Sequence, residues 1–167
     1  VNGSWSTGLG DRGLGGSLSV NASFARNDTL SLAGLDFGDP LERASRTDRL
    51  EGGAALNKRL GDWLATLTVD GGHIVTDSLT DRRVVTAGVA AGQDRARVAN
   101  DSATSLLTLA GPAFRMPAGE VSATFKAGFA YTGIASDDTR RSGGTARLKR
   151  NDASAGFNIA IPLTSRR

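Results

Sequence analysis

The side chains that could carry catalytic or metal chemistry are few in this chain. His73 is its single histidine and cysteine is absent, so the usual ligands of a zinc site and the partners of a His-based catalytic set are missing. Asp77 with Asp81, and Asp137 with Asp138, could be paired carboxylates. Both pairs lie among arginines, however, and a calcium loop would need a closing glutamate at fixed spacing. We therefore expect no metal, no other cofactor and no enzymatic activity.

The segment Gly8–Gly13 matches the glycine spacing G-x-G-x-x-G of dinucleotide-binding loops. That motif requires a helix directly after it, and no helical periodicity follows here. The glycines are more typical of turns or of a bulge in a strand.

A basic cluster within residues 137–152 is the most distinctive polar feature. Its members are Arg140, Arg141, Arg147, Lys149 and Arg150. On an exposed loop, these groups could contact lipopolysaccharide phosphates or another anionic ligand. The alternative is a solvated loop tip without a ligand. Nucleic acid is not expected as a partner despite a pI near 9.9, because the basic residues are interspersed with aspartates and lack aromatic stacking platforms.

β-strands are the elements that would position these groups. The 167 residues include 22 glycines and only 4 prolines, a bias toward turns and small-residue strands. Val121–Tyr131 has Val, Ala, Phe, Ala, Phe and Tyr at odd positions and mostly polar residues between them. Because successive strand residues point to opposite faces, this segment has one apolar and one polar face. Its length matches a tilted span of a bilayer, which takes about 9–11 residues.

Similar alternation recurs along the chain and predicts an all-β, antiparallel up-and-down meander of about eight strands. Short turns are expected at 27–28, 60–62 and 112–120. Long charged loops are expected at 36–49, 77–101 and 137–152, and Val84–Val89 could be a short strand or a buried patch within the second loop. These loops hold 23 of the 37 charged residues. Short turns on one side and long loops on the other are typical of a transmembrane β-barrel.

Alternation alone does not identify the medium that meets the apolar face, because strands of soluble sandwiches alternate as well. Three details favour a bilayer. The polar faces carry Ser, Thr, Asn, Ala and Gly more than Lys and Glu; Trp63, Tyr131 and Trp5 lie near strand ends; and no helix candidate could cover a sheet. Two alternatives remain: a self-contained small outer-membrane barrel with a structural or adhesive role, and a soluble secreted β-protein that binds carbohydrate.

Leu107–Val121 reads LTLAGPAFRMPAGEV. It resembles the strand–turn–strand pattern L-x-G-P-x-F-x-L-P-A-G-x-V of TonB-dependent outer-membrane receptors, particularly sphingomonad-type ones, with Met116 where leucine is usual. Ala155–Leu163 likewise resembles a barrel strand entering a periplasmic turn in that family. The resemblance covers roughly residues 103–167. It implies a barrel of about 22 strands with an N-terminal plug, which imports a scarce nutrient with energy from the TonB system.

The sequence lacks a recognisable TonB box, a plug and a C-terminal aromatic residue. We therefore expect 1–167 to be a single β-barrel segment, a piece of a barrel wall in the bacterial outer membrane. The resemblance places 112–120 at the periplasm and the three charged loops outside the cell. It implies as partners the bilayer and lipopolysaccharide, the rest of the barrel and the plug, the TonB system through that plug, and an unknown small ligand such as a siderophore or oligosaccharide.

The alternation also predicts which side chains face each medium. The residues expected to face lipid are Val121, Phe125, Phe129, Tyr131, Phe157 and Ile159. The residues expected to face the barrel lumen are Thr124, Lys126, Asp70 and Asn158.

Overall fold

A computed structural model describes residues 1–9, 15–36, 39–83, 91–140 and 144–162. These residues form one antiparallel sheet whose strands lie side by side in chain order, which confirms the predicted all-β up-and-down meander. The strands are β1 (Asn2–Leu9), β2 (Gly16–Asp36), β3 (Asp39–Leu60), β4 (Trp63–Asp81), β5 (Gln93–Met116), β6 (Gly119–Asp138) and β7 (Ala146–Ala160). They number seven rather than about eight. Within the described ranges, no helix is long and apolar enough to cross a membrane.

The hairpin predicted at 27–28 is wrong, because β2 runs through these residues without a turn. Asn27 pairs with Thr47 and Asp28 with Arg46 in the ladder between β2 and β3. The charged residues that suggested a turn are satisfied across the ladder: the Arg46 guanidinium donates to Asp28 at 2.7 Å. A strand that continues through this point needs no change in the two-residue alternation.

The three long charged loops are also largely strand. Only residues 37–38 separate β2 from β3, residues 82–92 separate β4 from β5, and residues 139–145 separate β6 from β7. The charged segments extend the ladders because opposite charges on neighbouring strands pair directly. The possible strand Val84–Val89 lies outside the described residues.

The other two predicted turns occur, and both are tight. Gly61 and Asp62 connect β3 to β4, with Gly61 in the left-handed region at φ 63°. Residues 117–118 connect β5 to β6, a shorter connection than the predicted 112–120. Pro112 stays within β5 because the register shifts between Pro112 and Phe114, and such an irregularity tolerates a residue without an N–H.

The sheet is an open single layer rather than a compact fold with a core. Its accessible surface is 12236 Å², whereas a compact protein of 17.2 kDa exposes about 7,800 Å². Within the described ranges, Val121 and Ala123 are the buried hydrophobic residues. The six pairings are all antiparallel, so the edge strands β1 and β7 run in the same direction.

Candidate membrane-facing surface

The strand register sorts the side chains onto two faces, because directly paired residues of antiparallel strands project to the same side. Leu18 pairs with Leu56, Leu56 with Leu67, and Leu67 with Leu107, which gives a row of four leucines across β2 to β5. The row continues through alanines of β6 and β7. We call this side of the sheet the aromatic face, because it also carries the phenylalanines of β6 and β7.

All six residues expected to face lipid lie on the side of the aromatic face by strand alternation. Phe125 pairs with Phe157, and Ile159 pairs with Ala123. Phe129 and Tyr131 lie on the same side of β6, four and six residues after Phe125. Phe125 is 49% exposed and Phe157 72% exposed, so no second layer covers them within the described part of the chain. Val121 differs from the other five: it is completely buried and therefore offers no surface to a surrounding medium.

The four residues expected to face the lumen lie together on the opposite side, which we call the polar face. Thr124 pairs with Asn158, and Lys126 pairs with Gly156 on β7 and with Thr108 on β5. Asp70 lies on the same side because it pairs with Thr104. The contact of either face with lipid or lumen water stays a prediction.

The apolar residues of the aromatic face form a continuous zone, the apolar band. On β6 it extends from Ala123 to Tyr131, nine residues, which agrees with the roughly 9–11 residues of a tilted strand that spans a bilayer. Its larger members on the other strands are Leu18, Val20 and Phe24; Leu50 and Leu56; Leu67 and Val69; Leu107 and Leu109; Phe157 and Ile159.

An aromatic pair marks the end of the apolar band near the tight turns. Trp63 stacks with Phe125 at a centroid distance of 6.1 Å and an interplanar angle of 29°. The indole ring covers Gly111, where a methyl group would come within 2.6 Å of the ring carbon Cδ2. An aromatic side chain at this position agrees with the enrichment of Trp and Tyr at bilayer interfaces.

Opposite charges occupy the other end of the aromatic face, which we call the ion-pair zone. Arg26 donates to Asp48 at 2.6 Å, Arg46 to Asp28 at 2.7 Å and Arg95 to Asp77 at 3.3 Å. The Arg26 hydrogen bond holds the pKa of Asp48 below its usual range. Such exposed pairs contribute little stability individually, but they show where the aromatic face changes from apolar to charged.

His73 lies at the border between the apolar band and the ion-pair zone. Its Nδ1 is 2.5 Å from Asp101 Oδ1, and its register partner on β3 is Leu50. No group of three metal-ligating residues occurs within the described ranges. The His73–Asp101 pair lies on the aromatic face beside the ion-pair zone.

The structure does not gather the basic cluster on one loop. Arg147, Lys149 and Arg150 belong to β7, and Arg140 follows β6 and pairs with Asp138 at 2.8 Å. Arg147 and Lys149 lie on the aromatic face opposite Ala135 and Gly133, whereas Arg150 lies on the polar face opposite Thr132. Arg150 also pairs with Asp152 at 2.8 Å. Arg141 lies outside the described residues.

A polar depression of about 300 Å³ lies on the polar face, and the alternation of single strands did not predict it. Gly52 of β3 and Gly71 and Gly72 of β4 line it, and Gly53 is the register partner of Asp70, which also lines it. A methyl group on Gly53 would come within 2.5 Å of Asp70 Oδ1, so the carboxylate leans over that glycine. The Gly-Gly pairs at 52–53 and 71–72 are the sequence signal that could have indicated it.

Comparison of the chain with protein-family models, with curated proteins and with solved structures found no match.

Proposed function

We propose that this chain forms part of the wall of an outer-membrane β-barrel, with the aromatic face toward lipid and the polar face toward the lumen. More specifically, we propose a TonB-dependent-type receptor that imports a scarce nutrient, such as a siderophore or an oligosaccharide. The exposed apolar band carries the proposal. Its height equals the part of one strand that spans a bilayer. The ion-pair zone bounds it at one end.

The exposure of the phenylalanines argues against a soluble sandwich. In such a fold Val20, Phe125, Phe129 and Phe157 would share one interior, but their exposed fractions are 40%, 49%, 46% and 72%. Contiguous apolar surface of this kind marks an interaction or membrane site. In a bilayer the same surface is favourable because lipid tails replace water.

The open edges support a piece of a larger barrel over a self-contained small one. In an up-and-down antiparallel barrel the first and last strands run in opposite directions, but β1 and β7 run in the same direction. An unpaired edge is not tolerated in hydrocarbon, because its N–H and C=O groups lack partners. The proposal therefore requires further strands from outside the described residues.

The receptor assignment rests on the resemblance in Leu107–Val121. The resemblance implies a strand, a tight turn and a second strand, and this segment forms the end of β5, the connection at 117–118 and the start of β6. In the proposed orientation this turn faces the periplasm, and the ion-pair zone lies on the extracellular side.

Tryptophan fluorescence tests the orientation of the aromatic face. The chain has two tryptophans, and both Trp5 and Trp63 lie on that face by register. When the chain is part of its complete barrel in vesicles of phosphatidylcholine, brominated acyl chains should quench the fluorescence of both tryptophans, and the aqueous quencher iodide should have little effect on it. Efficient iodide quenching with no effect of brominated lipid would contradict the proposal. The variant Trp5→Phe separates the two signals.

A further inference from the structure

We infer that Tyr131, Arg147 and Lys149 form a binding site for the phosphate groups of lipid headgroups at the border of the apolar band. The inference rests on the proposed membrane function and names the partner of one part of that surface. The ligand class is a phosphate-bearing anionic lipid, of which lipopolysaccharide is one example.

Gly133 creates the geometry of the site. A methyl group there would come within 2.6 Å of the Tyr131 hydroxyl oxygen, so the phenol end of Tyr131 lies over this buried glycine. Gly133 pairs with Lys149, and Ala135, two residues further along β6, pairs with Arg147. The hydroxyl of Tyr131 therefore points along the strand toward two cationic side chains on the same face.

The three groups lie at the height of a headgroup layer. Gly133 and its partner Lys149 are two residues beyond Tyr131, a distance of about 6.6 Å along the strand and about 5 Å along the membrane normal at a tilt of 45°. The headgroup layer on each side of the hydrocarbon is about 5–8 Å thick. Arg147 lies one step further out, and its long side chain can reach back toward the same layer.

These two cations differ from the others in the ion-pair zone. Arg26, Arg46, Arg95 and Arg97 all have an aspartate partner within 4 Å, and His73 contacts Asp101. Neither Arg147 nor Lys149 has an ion-pair partner in the part of the chain that the structure describes, and both are exposed.

Two carboxylates of the aromatic face lie near this site by register. Asp137 pairs directly with Arg97, and Asp101, which pairs with Gly133 from the β5 side, contacts His73. Each anion that would repel a phosphate thus has a nitrogen-bearing side chain opposite it. Guanidinium and ammonium groups are the donors that phosphate prefers, and a tyrosine hydroxyl can add a hydrogen bond.

Vesicle partitioning tests the site. The chain, within the complete barrel that supplies strands to its open edges, is reconstituted with vesicles of phosphatidylcholine alone, with added phosphatidic acid, or with added oleate, which is anionic but carries no phosphate. We expect a preference for phosphatidic acid over oleate. Lys149→Gln and Arg147→Gln should each lower that preference about fivefold, since a basic residue near a membrane surface contributes about 1 kcal/mol. Tyr131→Phe should lower it about twofold to twelvefold, the range of a single hydrogen bond.

Arg150→Gln is the matched control. It removes the same charge one residue away, but on the polar face, where Arg150 already pairs with Asp152. Its preference for phosphatidic acid should equal that of the unchanged chain. If Arg150→Gln lowers the preference as much as Lys149→Gln does, general charge attraction explains the data and the site is refuted.

Free phosphate and plain vesicles separate the remaining outcomes. Loss of the preference in millimolar inorganic phosphate would overturn the assignment to a lipid headgroup. Insertion into plain phosphatidylcholine without any preference for phosphatidic acid refutes this site alone. Failure to insert into any vesicle refutes the proposed membrane function first.

Discussion

Trp63 lies against Gly111 across the β4–β5 pair, with its indole ring in the space where any larger residue would place its side chain. The same ring stacks on Phe125 of β6. A glycine on the middle strand of three thus lets an aromatic side chain of one neighbour reach an aromatic side chain of the other. This contact lies at the end of the apolar band that is nearest the tight turns.

Gly111→Ala should weaken this border. A methyl group within 2.6 Å of the indole forces the ring or the strand to shift, and such overpacking typically costs about 1–3 kcal/mol. Urea unfolding, followed by tryptophan fluorescence, measures the change in the free energy of unfolding. Gly156→Ala is the control, because nothing lies within 4 Å of the added carbon there. Equal stability of the two variants would contradict the packing described for Trp63.

Gly61→Ala should destabilise the hairpin of β3 and β4. Gly61 has φ 63°, and an L-residue with a Cβ loses about 1 kcal/mol or more in that conformation. Gly61→Asn should cost less, because asparagine tolerates the left-handed region. Thermal unfolding of the two variants gives the order. If alanine is tolerated as well as asparagine, the turn does not have this conformation.

The hydrogen bonds of Asp81 should make the charged end of the sheet sensitive to acid. Its carboxylate accepts hydrogen bonds from the Gln93 side-chain amide and the Glu42 backbone N–H, and these hold its pKa below the usual 3.8. A lowered folded pKa adds stability that is present above pH 3.8 and is lost as the pH falls through the folded value.

Hydrogen exchange of the Glu42 amide reads this effect directly. Its protection should decrease as the pH falls below 3.8, after correction for the intrinsic exchange rate. Asp81→Asn keeps an acceptor oxygen and removes the titrating group, so that variant should show no acid-dependent step. An unchanged step in Asp81→Asn would assign the effect to another group.

The sequence predicts the faces of the sheet well and its connections poorly. Thr124 and Phe125 fall on opposite faces because a strand alternates at every residue, and this holds wherever the strand ends. A run of charged residues favours a loop, but this signal fails when opposite charges pair across a ladder. Arg26 with Asp48, and Asp28 with Arg46, are symmetric about position 37, and this symmetry was the available signal for a hairpin there.

Burial is the part that alternation does not encode. Val121 has the same place in the pattern as Phe125, yet it is completely buried while Phe125 is about half exposed. Likewise, the separation of Arg150 from Lys149 follows from strand alternation only after 146–160 is known to be a strand. The position of the Tyr131 hydroxyl over Gly133 depends on a side-chain orientation that single-strand patterns do not specify.

A cysteine scan of β6 tests the central proposal most directly. The chain contains no cysteine, so single substitutions at Thr124, Phe125, Lys126 and Phe129 each place one environment-sensitive label at a known position. With the chain reconstituted as part of its complete barrel in phosphatidylcholine vesicles, labels at Phe125 and Phe129 should be quenched by spin-labelled acyl chains, and labels at Thr124 and Lys126 by an aqueous quencher. If the acyl-chain quencher acts on neither set, or acts equally on both, the aromatic face does not meet lipid and the proposed function is wrong.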